Sequence, residues 1–274
     1  MIRNKKSSGQ SVVIGALLLL ALFVGFIAWF QITQIPILYQ NAESDNQEEL
    51  RVDMFDFQDE LHDSIMNNNV NQFTFSTKMN YEYQLSGFEN KIGQFSVTEF
   101  SDNPIQINNV NQSISEPETV NSLKYTPSYI ERTEVPFIYE NNILVENRSS
   151  NSIDRSGQKF IRGTDIYLFE YDYTFKALQS VNPTVVISPK ESYNEMSVTG
   201  EEIDISEEEE ETELETQDIE IELVSSYDVE TWEMLLRGQS NVEEITEVQD
   251  GRILVILDGG EEYTIHKGKI MVER

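Results

Sequence analysis

The sequence contains no cysteine and only two histidines, His62 and His266. The absence of cysteine excludes disulfide scaffolds, thiolate metal sites, iron–sulfur clusters and cysteine nucleophiles. Basic residues are also scarce, because 19 Lys and Arg stand against 49 Asp and Glu and leave a formal net charge of −30. A nucleic acid is itself a polyanion and is held by clustered Lys and Arg, so this charge balance excludes nucleic acid as a partner.

The common sequence motifs of enzymes are missing as well. The chain has no P-loop, no dinucleotide-binding glycine fingerprint, no GxSxG elbow and no HExxH pair. Carboxylates are so frequent that neighbouring pairs single out no catalytic pair. We therefore expect no enzymatic activity, no catalytic residues and no cofactor, and an anchored extracellular hydrolase is kept only as an alternative.

A long apolar run lies close to the N-terminus. Arg3, Lys5 and Lys6 precede an uncharged run at residues 12–30, which is 19 residues long. About 20 apolar residues in a helix cross the ~30 Å hydrocarbon core of a bilayer. A secretory signal peptide has a shorter apolar region, roughly 7–15 residues, and ends in a small-x-small cleavage site that is absent here. We interpret the run as a retained anchor, which makes the lipid bilayer a partner.

The charges on the two sides of this run predict its orientation. Lys and Arg close to a membrane span stay on the cytoplasmic side. Three basic residues precede the run, and none lies within 15 residues after it. We predict a single-pass protein of the cell membrane with a cytoplasmic N-terminus and the bulk of the chain outside. Residues 1–42 carry +3, so the remainder carries −30 − 3 = −33.

The acidity of the external part favours a particular environment. A domain of such charge repels itself in dilute buffer, whereas salt at 1 M shortens the Debye length to about 3 Å and removes most of the repulsion. The pattern is typical of a protein adapted to strong brine, as in halophilic archaea. The alternative is a mesophilic surface protein with a locally acidic insertion.

The order of basic cluster, Gly9-Gln10 and apolar helix resembles the class III signal sequence of archaeal type IV pilin-like and archaellin-like proteins. In that family a prepilin peptidase cuts after the Gly. The resemblance therefore implies cleavage between Gly9 and Gln10, after which the helix forms a pilus core or a membrane anchor. The chain is similar to acidic pilin-like surface proteins of haloarchaea through this helix and through residues 135–145 and 227–236. Such proteins are surface or filament components without assigned catalysis.

A second helix is predicted after the span. Apolar residues recur at intervals of 4, 3, 4 and 4, which places them on one helical stripe. Pro36 is expected to kink or interrupt the rod where it leaves the membrane. The stripe has two interpretations, a stalk that packs on a partner helix and a helix that packs only on this chain's own β domain. Its members are Leu50, Met54, Phe57, Leu61 and Ile65.

The following segment changes to a period of two. Residues 73–85 place their apolar side chains on alternate positions, as a strand does. Asn141-Asn142 is a good hairpin turn, because Asn tolerates positive φ. Aromatic residues of one parity at 167–175 predict sheet core. We expect a mainly antiparallel, sandwich-like domain, with further strands at residues 94–100, 136–139, 143–146, 159–162, 166–175 and 184–188.

The C-terminal third begins with an acidic block. Residues 201–222 contain 13 acidic residues, which predicts a disordered linker or exposed loop that gathers Ca²⁺ or Mg²⁺ only diffusely and forms no metal site. Beyond it we predict a strand, a helix capped by Asp228 and ended near Gly238, and a meander of short strands. Asn111 and Asn147 begin sequons in polar stretches, so both are candidates for glycosylation.

Together these patterns predict an α+β fold, in which a long N-terminal hydrophobic helix precedes an external β-sandwich-like domain and a small strand-helix-meander unit. The functional hypothesis is a pilin-like surface protein that contacts itself or other pilin-like subunits through its N-terminal helix. The alternative is a solitary membrane-tethered binding or adhesion ectodomain, or an archaeal virus envelope protein. The expected segments are 1–9 (basic leader), 10–36 (transmembrane helix), 37–70 (amphipathic stalk), 71–200 (β-rich domain), 201–216 (acidic linker) and 217–274 (C-terminal unit).

Overall fold

The computed structural model describes residues 7–78, 92–100, 105–112, 114, 119–147, 153–204, 214–249 and 251–274. Two consecutive long helices are followed by short strands and one short helix. The helices are α1 (Ser7–Thr33), α2 (Ile35–Asn67) and α3 (Val229–Leu236). The strands are β1 (Asn71–Thr74), β2 (Gln94–Phe100), β3 (Ile105–Asn108), β4 (Val120–Thr126), β5 (Phe137–Glu140), β6 (Ile143–Asn147), β7 (Ile153–Gln158), β8 (Ile161–Arg162), β9 (Asp165–Tyr173), β10 (Ala177–Leu178), β11 (Thr184–Val198), β12 (Glu202–Asp204), β13 (Leu214–Thr216), β14 (Ile219–Val224), β15 (Val242–Gln249), β16 (Arg252–Leu257) and β17 (Tyr263–Glu273).

Only Gln34 separates α1 from α2. The helical hydrogen bonds continue across it, because the Gln34 N–H donates to the Phe30 carbonyl at 2.9 Å and the Leu38 N–H donates to the Gln34 carbonyl at 3.0 Å. Pro36 lies in the first turn of α2, where its fixed φ suits a helix start. The expected interruption at Pro36 is therefore confined to one residue, and α1 and α2 are successive parts of one helical segment.

The strands form three larger sheets and one hairpin. Sheet 1 has the order β1-β11-β17-β9-β8, sheet 2 the order β10-β2-β4-β5-β6-β7 and sheet 3 the order β15-β16-β14-β3, while β12 pairs with β13. Among the strands that the structure describes, only β17 and β9 are parallel. The predicted α+β class, with a long apolar helix before a mainly antiparallel domain, is confirmed.

The first hydrophobic core lies between α2 and sheets 1 and 2. All five residues of the predicted apolar stripe are 2% exposed or less. They pack on apolar residues of both sheets, among them Val185, Ile270 and Leu123. The stripe is thus covered by this chain's own β domain, which was the second of the two interpretations of the sequence.

The second core lies on the opposite side of sheet 1. Sheet 3 and α3 bury their apolar side chains there, with Trp232 fully buried and 5.6 Å from Phe160 in an edge-on arrangement. Asp228 caps α3 as predicted, because its side chain accepts a hydrogen bond from the Thr231 N–H at 2.9 Å. Gly238 follows the helix with a φ of +96°, a conformation that glycine adopts without strain.

The C-terminal strands do not pair only with one another. Strand β14 pairs with β3, and β17 lies at the centre of sheet 1 between β11 and β9. The meander predicted at the C-terminus therefore ends with β16. The physical reason is burial on both faces, since Ile265 faces the second core and Ile270 faces the first, both at 0% exposure.

Two local predictions are confirmed. Asn141 and Asn142 form the turn between β5 and β6 with φ values of 48° and 59°. The aromatic stripe of β9 lies in the first core, with Phe169 and Tyr171 buried and Tyr167 partly buried.

Two other segments differ from their predictions in extent. Strand β1 ends at Thr74, where its partner Thr184 follows Pro183, which has no N–H to continue the ladder. Residues 79–85 of the predicted strand lie outside the described residues. In the acidic block the structure describes the hairpin β12–β13, and residues 205–213 lie outside the description.

Candidate functional site

Helix α1 exposes apolar side chains on every side. In the helical segment Val12–Asn67 the most apolar window has a mean hydropathy of 2.8, and none of it is buried within this chain. Exposed fractions reach 72% at Val12, 70% at Leu19 and 71% at Leu22. At 1.5 Å per residue the 27 residues of α1 extend about 40 Å. The helix is therefore long and apolar enough to cross a membrane.

An aromatic pair lies near the C-terminal end of α1. The rings of Phe26 and Trp29 are 5.8 Å apart, and Trp29 is 53% exposed. Tryptophan at the end of an apolar helix is typical of the boundary between lipid and water. The hydroxyl of Thr33, one turn later, donates to the Trp29 carbonyl at 2.7 Å. The last turn of the apolar helix thus combines an exposed tryptophan with a threonine whose hydroxyl is hydrogen-bonded.

The proposed processing position lies at the opposite end of α1. Gly9 and Gln10 both belong to the helix Ser7–Thr33, so their backbone continues directly into the apolar run. The basic residues Arg3, Lys5 and Lys6 lie outside the described residues.

The first contacts between α2 and the β domain lie close to the end of the apolar run. Tyr39, 4% exposed, packs with Tyr129 in a small cluster to which Ile35 also belongs. Tyr39 lies nine positions after Phe30, a rise of about 14 Å along the helix. Loop 127–136, which contains Tyr129, therefore lies within a few helical turns of the end of the apolar run.

A buried carboxylate fastens this loop to α2. Glu43 is 0% exposed, and its carboxylate accepts hydrogen bonds from the backbone N–H groups of Ile130 at 2.6 Å and Arg132 at 2.9 Å. The Glu131 N–H contributes a further bond at 3.2 Å. Convergent N–H donors replace the water that a buried carboxylate loses, so the loop and the helix hold one another in place.

One and two turns further along α2, two side chains bind the same strand residue. The Gln47 amide donates to the Glu146 carboxylate at 2.8 Å, and Arg51 donates to it through Nε at 2.7 Å and through a terminal nitrogen at 3.0 Å. The Tyr129 hydroxyl donates to the Gln47 amide oxygen at 2.6 Å. Removing one partner of a buried ion pair of this kind typically lowers the free energy of unfolding by about 3–5 kcal/mol.

This row of polar residues on α2 was not predicted from the sequence. Glu43, Gln47 and Arg51 follow at intervals of four, so they share one helical face. Gln58 extends the row and donates to the carbonyls of Asn142 at 3.0 Å and Gly157 at 2.8 Å. The spacing was visible in the sequence, but the partners lie 84 to 99 residues away, and only the strand arrangement brings them to the helix.

The structure also brings the two histidines to one tyrosine. His266 stacks on Tyr167 with ring centroids 4.4 Å apart and planes 12° apart, while the ring of His62 lies 5.1 Å from that of Tyr167. Burial, reinforced by the positive charge of Lys159, lowers the pKa of His62 to about 4. The sequence indicated no site around either histidine, because the register of β17 against β9 was not predictable.

His266 connects three strands of sheet 1. Its Nε2 lies 2.8 Å from an Asp165 carboxylate oxygen on β9, and its Nδ1 lies 2.6 Å from the Tyr193 hydroxyl on β11. Tyr193 lies in an irregular stretch of the β11 ladder, and such bulges redirect side chains. Its hydroxyl also bonds to Glu195, and burial together with this bond raises the Tyr193 pKa. The cluster fastens the sheet beneath the C-terminal part of α2.

An acidic cluster lies at one end of sheet 3. Asp218, Glu243 and Asp258 bring carboxylate oxygens within 4.8 Å of one another, and repulsion from Asp218 raises the pKa of Glu243. Oxygen ligands suit hard cations. Exposed carboxylates are often this close without a cation, however, and the cluster by itself assigns no function.

The two sequons lie on the β domain. Asn111 is exposed, and its side-chain oxygen accepts a hydrogen bond from the Thr199 N–H at 3.2 Å. Asn147 is the last residue of β6. The serines that complete both sequons, Ser113 and Ser149, lie outside the described residues, so glycosylation at both positions stays a prediction.

The chain was compared with protein-family models, curated proteins and solved structures. No protein-family model, no curated protein and no solved structure matches the chain. Function is therefore inferred from the exposed helix α1, from its junction with the β domain and from the chemistry of the domain itself.

Proposed function

We propose that this chain is a membrane-anchored, pilin-like cell-surface protein of a halophilic archaeon, a filament subunit or minor pilin with no catalytic role. One observation carries the proposal, namely the division of a single helical segment between two environments. The α1 part is exposed and apolar, whereas the α2 part is packed into the β domain. An apolar helix of this length is stable in lipid and unfavourable in water. Helix α1 is thus the anchor of a sandwich-like external domain.

The orientation of the anchor is supported by charge. The segment before α1 carries Arg3, Lys5 and Lys6, and the first acidic residue after the span is Glu43. Basic residues stay on the cytoplasmic side, so the β domain lies outside the cell. Its excess of carboxylates is tolerated where concentrated salt screens their repulsion, which supports a halophilic source.

The surface available for assembly is α1. The apolar stripe of α2 is already buried against sheets 1 and 2, and residues left exposed on α2 include the acidic Glu49 and Asp56. Burying these charged side chains against a neighbouring copy would remove them from water at a cost in free energy, whereas the α1 helices carry no charge and can pack on one another. Contacts with further copies or with other pilin-like subunits therefore involve α1.

Processing at Gly9-Gln10 follows from the same proposal. A prepilin peptidase that cuts between them removes the basic leader and leaves a helix that begins at Gln10. The retained helix still contains the complete apolar run at residues 12–30, so processing does not shorten the anchor.

The test uses the native protein in intact cells. We expect it to remain with the membrane fraction after alkaline and high-salt washes, to lose its β domain to externally added protease, and to begin at Gln10 on N-terminal sequencing. A full-length chain dissolved in the cytosol, or one untouched by external protease, contradicts the anchored surface protein. An N-terminus at Met1 or Ile2 contradicts pilin processing.

A second candidate is a solitary membrane-tethered binding or adhesion ectodomain, or an archaeal virus envelope protein. A polar cavity where β9 leads into β10 favours it, since a protein that only builds a filament core needs no such cavity. Both candidates share the anchor and its orientation. They differ at the N-terminus, which is intact at Met1 or Ile2 in the second candidate and begins at Gln10 in the first.

A further inference from the structure

The β domain contains a cavity of about 380 Å³. It lies where the chain leaves sheet 1 at the end of β9 and joins sheet 2 as β10. Ligand pockets typically measure about 300–1,000 Å³, so this cavity suits a small ligand. It is lined by residues of β2, β4, β9 and β17 and of the connection to β10, namely Val97, Glu99, Thr119, Asn121, Glu170, Asp172, Tyr173, Phe175, Lys176 and Lys269.

The change of sheet explains why this space is open. The Thr174 N–H still donates to Val272 of sheet 1 at 3.0 Å, and the Lys176 carbonyl already accepts from Val97 of sheet 2 at 2.9 Å. The chain thus passes from sheet 1 to sheet 2 between Thr174 and Lys176, with only Phe175 between them. Asn121 bridges the gap by donating its amide to the Tyr171 carbonyl at 2.6 Å. The walls are therefore set by backbone hydrogen bonds and a buried amide.

Three of the five charged side chains that line the cavity are ion-paired. Glu170 is paired with Lys269, and their side chains are only 12% and 16% exposed. The Thr119 hydroxyl donates to the same carboxylate at 2.9 Å. At the rim, Lys190 pairs with Asp172 at 2.6 Å. An ionic ligand would have to compete with these pairs.

Neutralised charges still have hydrogen-bonding capacity. A carboxylate offers about four acceptor sites and an ammonium group three donors, so the Glu170–Lys269 pair has positions beyond its mutual contact. Glu99 is exposed and lies across the ladder from Asn121 on β4, which adds a carboxylate and an amide to the same wall. The cavity therefore combines several donors and acceptors without a dominant charge.

Aromatic side chains provide the apolar part of the lining. The rings of Tyr173 and Phe175 are 5.7 Å apart at an angle of 66°, and both residues are partly exposed. A ligand that fits this environment has many hydroxyl groups, no net charge and one apolar face of C–H groups. A pyranose ring has all three properties.

We propose that this cavity binds the pyranose ring of a neutral sugar. The hydroxyl groups of the sugar exchange hydrogen bonds with Glu99, Glu170 and Lys269, and its C–H face lies against Phe175 or Tyr173. This inference goes beyond the anchoring function, because binding in solution does not depend on whether α1 crosses a membrane. On a cell surface the same cavity would bind a glycan.

The experiment uses the full chain in lipid nanodiscs in molar KCl, because detergents with sugar head groups would compete. The probes are the methyl glycosides of glucose, galactose, mannose and N-acetylglucosamine, observed by saturation-transfer NMR and titrated by calorimetry. Glucuronate and glucosamine serve as an anionic and a cationic comparison. We expect at least one neutral glycoside to bind saturably at millimolar concentration or below, and more tightly than either charged sugar.

Matched variants locate the binding. Glu99→Gln removes a carboxylate from the cavity wall, and Glu244→Gln makes the same change at an exposed strand position of sheet 3. In Glu99→Gln a neutral hydrogen bond replaces a charge-assisted one of roughly twice the strength, which predicts binding weaker by about tenfold, with no change in Glu244→Gln. Phe175→Leu, which keeps an apolar side chain but removes the ring, is expected to weaken binding by a smaller factor.

Three results would overturn the proposal. The first is that no neutral glycoside binds the wild-type chain at millimolar concentration. The second is tighter binding of a charged sugar, which would assign an ionic ligand to the cavity. The third is equal binding by Glu99→Gln and Glu244→Gln at unchanged melting temperature, which would place any sugar site elsewhere. Failure here leaves the anchor untouched, since cell fractionation tests that separately.

Discussion

Helices α1 and α2 follow one another with hardly a break, yet they are stabilised in opposite ways. The most apolar stretch of α1 is not buried within this chain, and its uniform apolarity suits a lipid environment. In α2, each apolar residue of the stripe has a place in a core, and a row of polar residues has partners in distant strands. A membrane span therefore tolerates exchange among apolar residues, whereas α2 depends on particular side chains.

The largest expected effect is the loss of membrane binding when charged side chains are introduced into α1. Leu18→Arg combined with Leu22→Arg places two guanidinium groups in the apolar run, at positions 61% and 71% exposed. Each arginine near the centre of a span costs about 2.5–3.5 kcal/mol. We expect the membrane-bound fraction, measured by flotation, to fall more than about a hundredfold. The control is Leu18→Ala with Leu22→Ala, which should stay membrane-bound. Full retention of the arginine variant would contradict the anchor.

A smaller effect is expected on the free energy of unfolding when the same substitution, Leu→Ala, is made in each helix. Leu61→Ala in α2 removes a side chain that is 0% exposed, and Leu19→Ala in α1 one that is 70% exposed. We expect the first to lower the free energy of unfolding of the β domain by about 2–5 kcal/mol. The second should change it by less than about 0.5 kcal/mol. Denaturant titration in nanodiscs measures both, and similar losses would show that the domain does not depend on α2 packing.

The smallest expected effect concerns pH. The pKa of His62 falls to about 4 in the folded chain, from about 6.5 when unfolded. As pH decreases from about 6.5 to about 4, the unfolded histidine takes up a proton that the folded one resists, and stability is lost over this range. The variant His62→Phe keeps a ring against Tyr167 and cannot titrate.

The measurement is the melting temperature in molar KCl at a series of pH values. The wild-type chain and an exposed α2 variant, Val52→Ala, should lose stability more steeply below pH about 6.5 than His62→Phe does. Equal slopes in all three proteins would show that His62 is not held neutral by burial.

The features that could be predicted from the sequence are those that depend on interactions between residues close together in the chain. The stripe from Leu50 to Ile65, the turn at Asn141-Asn142 and the cap at Asp228 are all encoded within a few consecutive residues. The central position of β17 was not predictable, because a strand's neighbours depend on competition among all apolar strands of the domain. The spacing of Glu43, Gln47 and Arg51 marked a polar face, but nothing local indicated the partners of that face.

The cavity could not be predicted from the sequence either. Its wall includes Glu99 of β2, Glu170 of β9 and Lys269 of β17, which come together only after two sheets have formed. In an acidic sequence none of these residues stands out. The irregular stretch of β11 that brings Tyr193 to His266 is equally invisible, because a bulge is detected from the register of two strands and not from one of them.

The hydrogen bonds that cross Gln34 have a mechanical consequence. In the arrangement that we propose, the helix continues from lipid into the core of the β domain, which leaves no flexible linker that could absorb a pull or a twist. Force on the external domain is delivered directly to the buried rod, and a rotation of that rod turns the whole domain with it. The proposed anchor would thereby fix the height and the orientation of the cavity relative to the membrane plane.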